Sequence, residues 1–232
     1  NDTAHLVSDI ELIRNFLKIK KFLLVGGSWG ATLALCYAQK YPKNILGIVL
    51  RSVFLGTMKE IDWAFKDGPK TFAPELYKQF LSFLDEREKI DPIKAYIKKI
   101  HSSETQIYSW IWHDYERILS QINPDSHNFE KIDSIKKRHG LPNSPFMETH
   151  YIKNRFFMED DQIINNANKL KNIPGYIVQG RYDLICPPIN AYRLRESWET
   201  SKIKLVNTAG HSSSDQGIME NLSIALREII SY

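Results

Sequence analysis

The chain has 232 residues, 43% hydrophobic and 25% charged, which is ordinary globular composition and enough length for one large domain or for a core carrying a sizeable insertion. The formal charge of +4 comes from Lys and Arg scattered along the whole length, without a basic run, zinc-finger or basic-zipper spacing, so no nucleic-acid partner is expected. No membrane partner is expected either, because no apolar stretch approaches the ~18 residues that a span requires, and two cysteines, Cys36 and Cys186, give no disulfide framework and point to a reducing, cytoplasmic setting.

The chain opens on Asn1-Asp2-Thr3, without a methionine and directly at a helix N-cap signal, which reads as the start of a fragment or a processed chain. Leu6, Ile10, Ile13 and Leu17 recur at helical spacing and predict an amphipathic helix from Thr3 to Leu17. Phe22-Leu23-Leu24-Val25, ended by Gly26-Gly27, predicts a strand buried on both faces of a parallel sheet. A helix follows from Gly30 to Tyr41, stopped by Pro42, and then a strand from Ile45 to Leu50. From Gly56 to Asn172, long helical patterns rich in Trp, Tyr, Phe, Lys and Glu are broken at prolines and predict a mostly helical insertion. After Pro174 the alternation returns, with strands at 176–178 and 203–206 and helices at 189–198 and 219–230. Such alternation builds parallel βαβ units. It divides the chain into an α/β core, residues 1–55 and 173–232, interrupted by a helical cap over 56–172.

Gly26-Gly27-Ser28-Trp29-Gly30 fits the G-x-S-x-G nucleophile elbow, a tight strand-to-helix turn that pushes a serine hydroxyl out at the top of an α/β-hydrolase sheet. The turn forces the serine backbone into a sparsely populated conformation, so the positions two residues away on either side are expected to admit only glycine or another very small residue. The following helix N-terminus directs the Trp29 amide toward an oxyanion. A serine needs a base to take its proton and an acid to orient that base. Asp183, reached from the strand at 176–178 through Gly180-Arg181-Tyr182, and His211, past the last strand, supply them in the chain order Ser, acid, His of that fold. Each is bland alone, a turn former and a loop histidine; together they form a candidate triad at one edge of the sheet. The histidines at 5, 101, 113, 127, 139 and 150 fall in helical or cap segments. No metal-ligand spacing and no phosphate-binding Gly-rich loop occurs, so neither metal nor cofactor is expected.

The strings Gly26-Gly27-Ser28-Trp29-Gly30-Ala31-Thr32-Leu33-Ala34-Leu35, Gly180-Arg181-Tyr182-Asp183 with Cys186-Pro187, and Gly210-His211-Ser212 resemble the proline iminopeptidases, α/β hydrolases that remove an N-terminal proline from peptides. The resemblance covers nearly the whole chain. It implies a peptide substrate with a free N-terminus, whose buried α-ammonium is held by two cap glutamates, Glu148 and Glu116. Phe54 stands where the family places an aromatic against the proline ring, whereas Ala64 and Ile152 stand where it shows further aromatics, implying a looser pocket. Family members also carry, upstream, several strands and a His-Gly-Gly-Pro-Gly loop that donates a second oxyanion amide. That string does not occur here. Its absence implies an upstream segment in the complete protein, a rate cost on the order of 10²- to 10³-fold for one missing donor, and an unpaired hydrophobic edge on the strand bearing Ser28. Two alternatives stay open: a carboxylesterase or general acyl hydrolase using the same triad, and a catalytically silent hydrolase-fold interaction module. Nothing in the sequence sets the oligomeric state.

Overall fold

Four parallel strands lie side by side in chain order in the computed structural model, which describes residues 1–231: β1 (Phe22–Ser28), β2 (Ile45–Val53), β3 (Gly175–Gly180) and β4 (Ser201–Val206). The two-residue period of a strand sorts their side chains between two cores. Ile48, Leu50 and Ile177 face one side, where they pack with α1 (Thr3–Phe16), α2 (Trp29–Lys40) and the helix Pro188–Ser197. Val49, Val178 and Val206 face the other, against the helix Ile218–Ile230. All six residues of β3 are buried, as a strand covered by helices on both faces requires.

The expectation for the first strand needs correction. Among the described residues β1 pairs only with β2, so it is an edge, and although Leu24 is buried, Val25 is 58% exposed. The unpaired hydrophobic edge expected on the strand bearing Ser28 is present among the described residues, whereas burial on both faces is not. Helix and strand boundaries otherwise fall close to the predicted ones, with β2 running on to Val53 and α2 beginning one residue early, at Trp29.

Residues 57–172 contain helices and no strand among those described. Their core is an aromatic stack: Phe80 lies flat between Tyr96 and Tyr115, at 4.1 and 3.9 Å between ring centroids, and Phe65 stacks on Trp112 at 4.1 Å. Each such pair adds about 0.5–1.5 kcal/mol beyond the area it buries. This segment leaves β2 through α3 (Met58–Asp62), which opens on a capping box between Thr57 and Glu60. Glu60 is buried and fully engaged. It accepts from the Leu55 and Thr57 amides and from Asn190 Nδ2, fixing the exit loop to the core, and burial pushes its carboxyl up. No helix among the described residues is long and apolar enough to cross a membrane.

Candidate active site

Ser28 ends β1 and caps α2 with φ 55° and ψ −125°, a conformation that L side chains rarely adopt. The glycine requirement is one-sided. A Cβ on Gly26 would stand 2.3 Å from the Gly30 carbonyl oxygen, whereas a Cβ on Gly30 would meet nothing within 4 Å, so the expectation of symmetric crowding holds only for Gly26. The Ser28 side chain caps no amide of α2, which leaves the first-turn N–H groups, Trp29's included, without intrahelical partners. The positive end of the helix dipole therefore lies beside the hydroxyl.

Asp183 sits in the turn after β3 and is only 2% exposed. Its Oδ1 accepts from the Ile185 and Cys186 amides at 3.1 and 2.7 Å, and both of its oxygens lie within reach of His211 Nδ1, at 3.0 and 3.1 Å. A carboxylate there makes Nδ1 the protonated nitrogen and leaves Nε2 as an acceptor. The histidine loop is held from several directions. The Ser120 carbonyl, at the end of the cap helix Thr105–Ser120, accepts from the His211 and Ser212 amides at 3.0 and 2.8 Å. Asp215 Oδ2 accepts from the Gly210 amide at 2.7 Å, and Arg51 donates to the His211 carbonyl. Gly180 permits the acid turn and histidine loop to meet, since a Cβ there would lie 2.1 Å from the Gly210 oxygen. The imidazole is bonded through Nδ1 to Asp183, and no bond from the Ser28 hydroxyl to it is present among the described residues. Serine–histidine bonds of this kind commonly tighten only in the substrate complex.

Ser28 opens onto a cavity of about 330 Å³ between sheet edge and cap, lined by Phe54, Glu116, Glu148 and Cys186 among others. Glu116 comes from the helix Thr105–Ser120 and Glu148 from the helix Pro145–Lys153. The two carboxyls lie side by side and act on one another. Burial pushes both above the usual carboxylate range; the neighbouring Glu116 charge raises Glu148 further, while Trp112 Nε1–H, donating to Glu148 at 3.0 Å, and His211, acting on Glu116, pull the other way. Burial holds the Cys186 thiol well above its ordinary value, reinforced by Asp183 and Glu60, so the sulfur beside Ser28 is a neutral thiol and no rival nucleophile.

Comparison with known proteins agrees with this geometry. A family model for the alpha/beta hydrolase fold matches residues 1–218. The chain is 36% identical over 230 residues to a proline iminopeptidase of Arabidopsis thaliana, covering 97% of this chain and 60% of that protein. A probable proline iminopeptidase of Leptolyngbya boryana is 36% identical, covering 96% and 70%, and a proline iminopeptidase of Neisseria meningitidis is 32% identical, covering 100% and 74%. The chain belongs to the proline iminopeptidase family. It thus spans 60% of the length of its Arabidopsis relative. Among solved structures, an alpha/beta fold family hydrolase from Bacillus anthracis aligns over 97% of this chain and 73% of its own, with a TM-score of 0.65 at 17% identity, which speaks for the shared fold.

Against the proline iminopeptidase pattern, the structure brings all the expected site residues to one place: Ser28, Trp29, Phe54, Glu116 and Glu148 line the cavity, with the Asp183–His211 pair at its sheet edge. Ala64 and Ile152 line it too. One wall escaped the sequence reading. Phe156 packs edge-on against Phe54 at 5.0 Å and tilted over Trp29 at 5.6 Å, presented by a turn in which Arg155, Phe156 and Phe157 all have φ of 50–57°. Neither periodicity nor a glycine announces such a turn. Arg51 did leave a signal, as a charge inside the apolar run of β2.

Proposed function

We propose that the protein is a serine aminopeptidase that releases an N-terminal residue, preferentially proline, from peptides through an acyl-enzyme. Ser28 Oγ attacks the carbonyl carbon of the first residue as its proton passes to His211 Nε2, with Asp183 orienting the ring and balancing the imidazolium. The oxyanion faces the Trp29 amide at the α2 N-terminus. His211 returns the proton to the departing peptide amine as the C–N bond breaks. Water, activated by the same imidazole, then hydrolyses the ester and frees Ser28.

The observation that carries this reading is the Glu116–Glu148 pair in the cavity onto which Ser28 opens. Two carboxyls pushed up by burial, Glu148 further by the neighbouring Glu116, form a site short of a cation, and a substrate α-ammonium supplies it. That contact places the first peptide carbonyl at the nucleophile and makes the enzyme an exopeptidase. Phe54 offers its ring to the substrate's pyrrolidine. A neutral ester would leave the carboxyl pair uncompensated, which disfavours the general acyl hydrolase. In this reading residues 56–172 act as one cap that carries specificity, and the two buried free cysteines suit a cytoplasmic setting.

The test is hydrolysis of L-prolyl β-naphthylamide and its N-acetyl analogue by the full-length protein and its Ser28→Ala variant. The expected result is turnover of the free amine only, lost in the variant together with labelling by a fluorophosphonate. Equal turnover of the blocked substrate would instead identify a general acyl hydrolase. A protein that neither turns over nor labels would be a silent scaffold.

A further inference from the structure

We infer that Gln179 is the positioning residue of the triad acid, its side-chain amide holding the Asp183 carboxylate in the orientation that presents both oxygens to His211. The inference rests on the triad proposed above. Gln179 is the penultimate residue of β3, fully buried in a strand whose other interior side chains, Tyr176, Ile177 and Val178, are apolar or aromatic. A primary amide at such a position costs free energy unless all its bonds are made.

Here they are made, and the partners determine which way the amide points. The Val53 backbone N–H can only donate, and it donates to Gln179 Oε1 at 3.1 Å. The Cys186 carbonyl can only accept, and it takes Nε2–H at 2.9 Å, with the Gly180 carbonyl at 3.3 Å. Oxygen and nitrogen are therefore assigned by their surroundings. Nε2 then lies 3.2 Å from Asp183 Oδ2. The division of labour follows. Oδ1 is held by the Ile185 and Cys186 amides, and Gln179 is the donor besides His211 that reaches Oδ2. Rotation about the Asp183 Cβ–Cγ bond would move both oxygens, so the Gln179 hold on Oδ2 adds to the two amides on Oδ1 and to His211 in resisting it. Val53 is the residue that pairs in register with Ser28, so one buried amide ties the acid to the strand position beside the nucleophile. Gln179 does not line the cavity, so it acts through Asp183 and not on substrate.

Gln179→Met keeps length and volume and removes the donor. Gln179→Glu keeps the acceptor for the Val53 amide and puts a second carboxylate against Asp183. The charged groups acting at His211 are Asp183, Glu116 from the cap and Arg51 from β2. In the full-length protein kcat is expected to fall about 10- to 100-fold, as loss of an outer partner of a functional group typically costs, with KM within about threefold of the parent. The acidic limb of kcat/KM is expected to move away from that of the parent in both variants. The downfield Nδ1–H proton resonance, assigned by its loss in His211→Ala, should shift in both, a readout that needs no turnover. Parent-like kcat, acidic limb and resonance, with only a lowered melting temperature, would reduce Gln179 to a packing role and overturn the inference while leaving the triad standing. A parent protein without that resonance, or His211→Ala with full activity, would overturn the triad and the inference together. If the Met variant fails to fold, the isosteric Glu variant carries the test alone.

Discussion

The carboxyl edge of the sheet and the wall of the cap hold their functional groups in opposite ways. At the sheet edge, Asp183 is surrounded by amide donors, the histidine loop is tied to Ser120, Asp215 and Arg51, and two glycines admit contacts that any Cβ would forbid. In the cap wall, Glu116 and Glu148 lie side by side, with burial acting against their charges. The first arrangement is satisfied before substrate arrives and so can hold reacting atoms in place. The second is unsatisfied until a cation arrives and so stores selectivity at a cost in stability. A rigid edge sets what reaction occurs, and an uncompensated wall sets which substrate undergoes it.

Mutations at the two regions should therefore leave different kinetic signatures. Ser28→Ala is expected to cost on the order of 10⁶ in kcat while leaving KM nearly unchanged, since it removes bond-making alone. Glu148→Gln should do the reverse, raising KM for L-prolyl β-naphthylamide about 30- to 1000-fold, the cost of removing one partner of a desolvated charge pair. A pure kcat effect there would erase the distinction between edge and wall.

The same substitution sharpens the comparison through pH. The folded-state value of Glu148 lies well above the ordinary 4.5, so the folded chain binds that proton more tightly than the unfolded chain does. The destabilisation is absent below the ordinary range and grows as pH rises through the raised value. Glu148→Gln should accordingly unfold at higher denaturant concentration than the parent at neutral pH, and the advantage should vanish in acid. In the elbow, Gly26→Ala forces a Cβ onto a backbone oxygen and should destabilise by about 1–3 kcal/mol, whereas Gly30→Ala, in a helix with open space around it, should stabilise by up to about 1 kcal/mol; urea unfolding compares them. The smallest effect is expected of Phe54→Leu, which should lower the proline-to-alanine ratio of kcat/KM by about 3- to 10-fold.

Much of the sheet edge could be read from the sequence because its constraints are local. Gly-x-Ser-x-Gly after an apolar run, and an Asp and a His each just past a strand, occupy a few consecutive positions whose spacing reflects the turn itself. The edge character of β1 followed from the missing upstream string and not from Phe22 to Val25, a run equally apolar whether a strand has one neighbour or two; the exposure of Val25 had no signal in that run. Glu116 and Glu148 stand 32 positions apart on different helices (148 minus 116), and no period in the chain brings them together; a family resemblance singled them out. Phe156 left no trace at all, since a left-handed Arg-Phe-Phe turn depends on tertiary contacts rather than on any residue's own preference.

The central claim is that the Glu116–Glu148 pair selects substrate by charge. The most direct measurement compares L-prolyl β-naphthylamide with cyclopentanecarbonyl β-naphthylamide, in which carbon replaces the amine, on the parent and on Glu148→Gln. The account predicts that the parent strongly prefers the amine and that this preference collapses in the variant, chiefly through KM. A preference that survives Glu148→Gln unchanged would contradict it and leave the pair as buried structure beside the nucleophile.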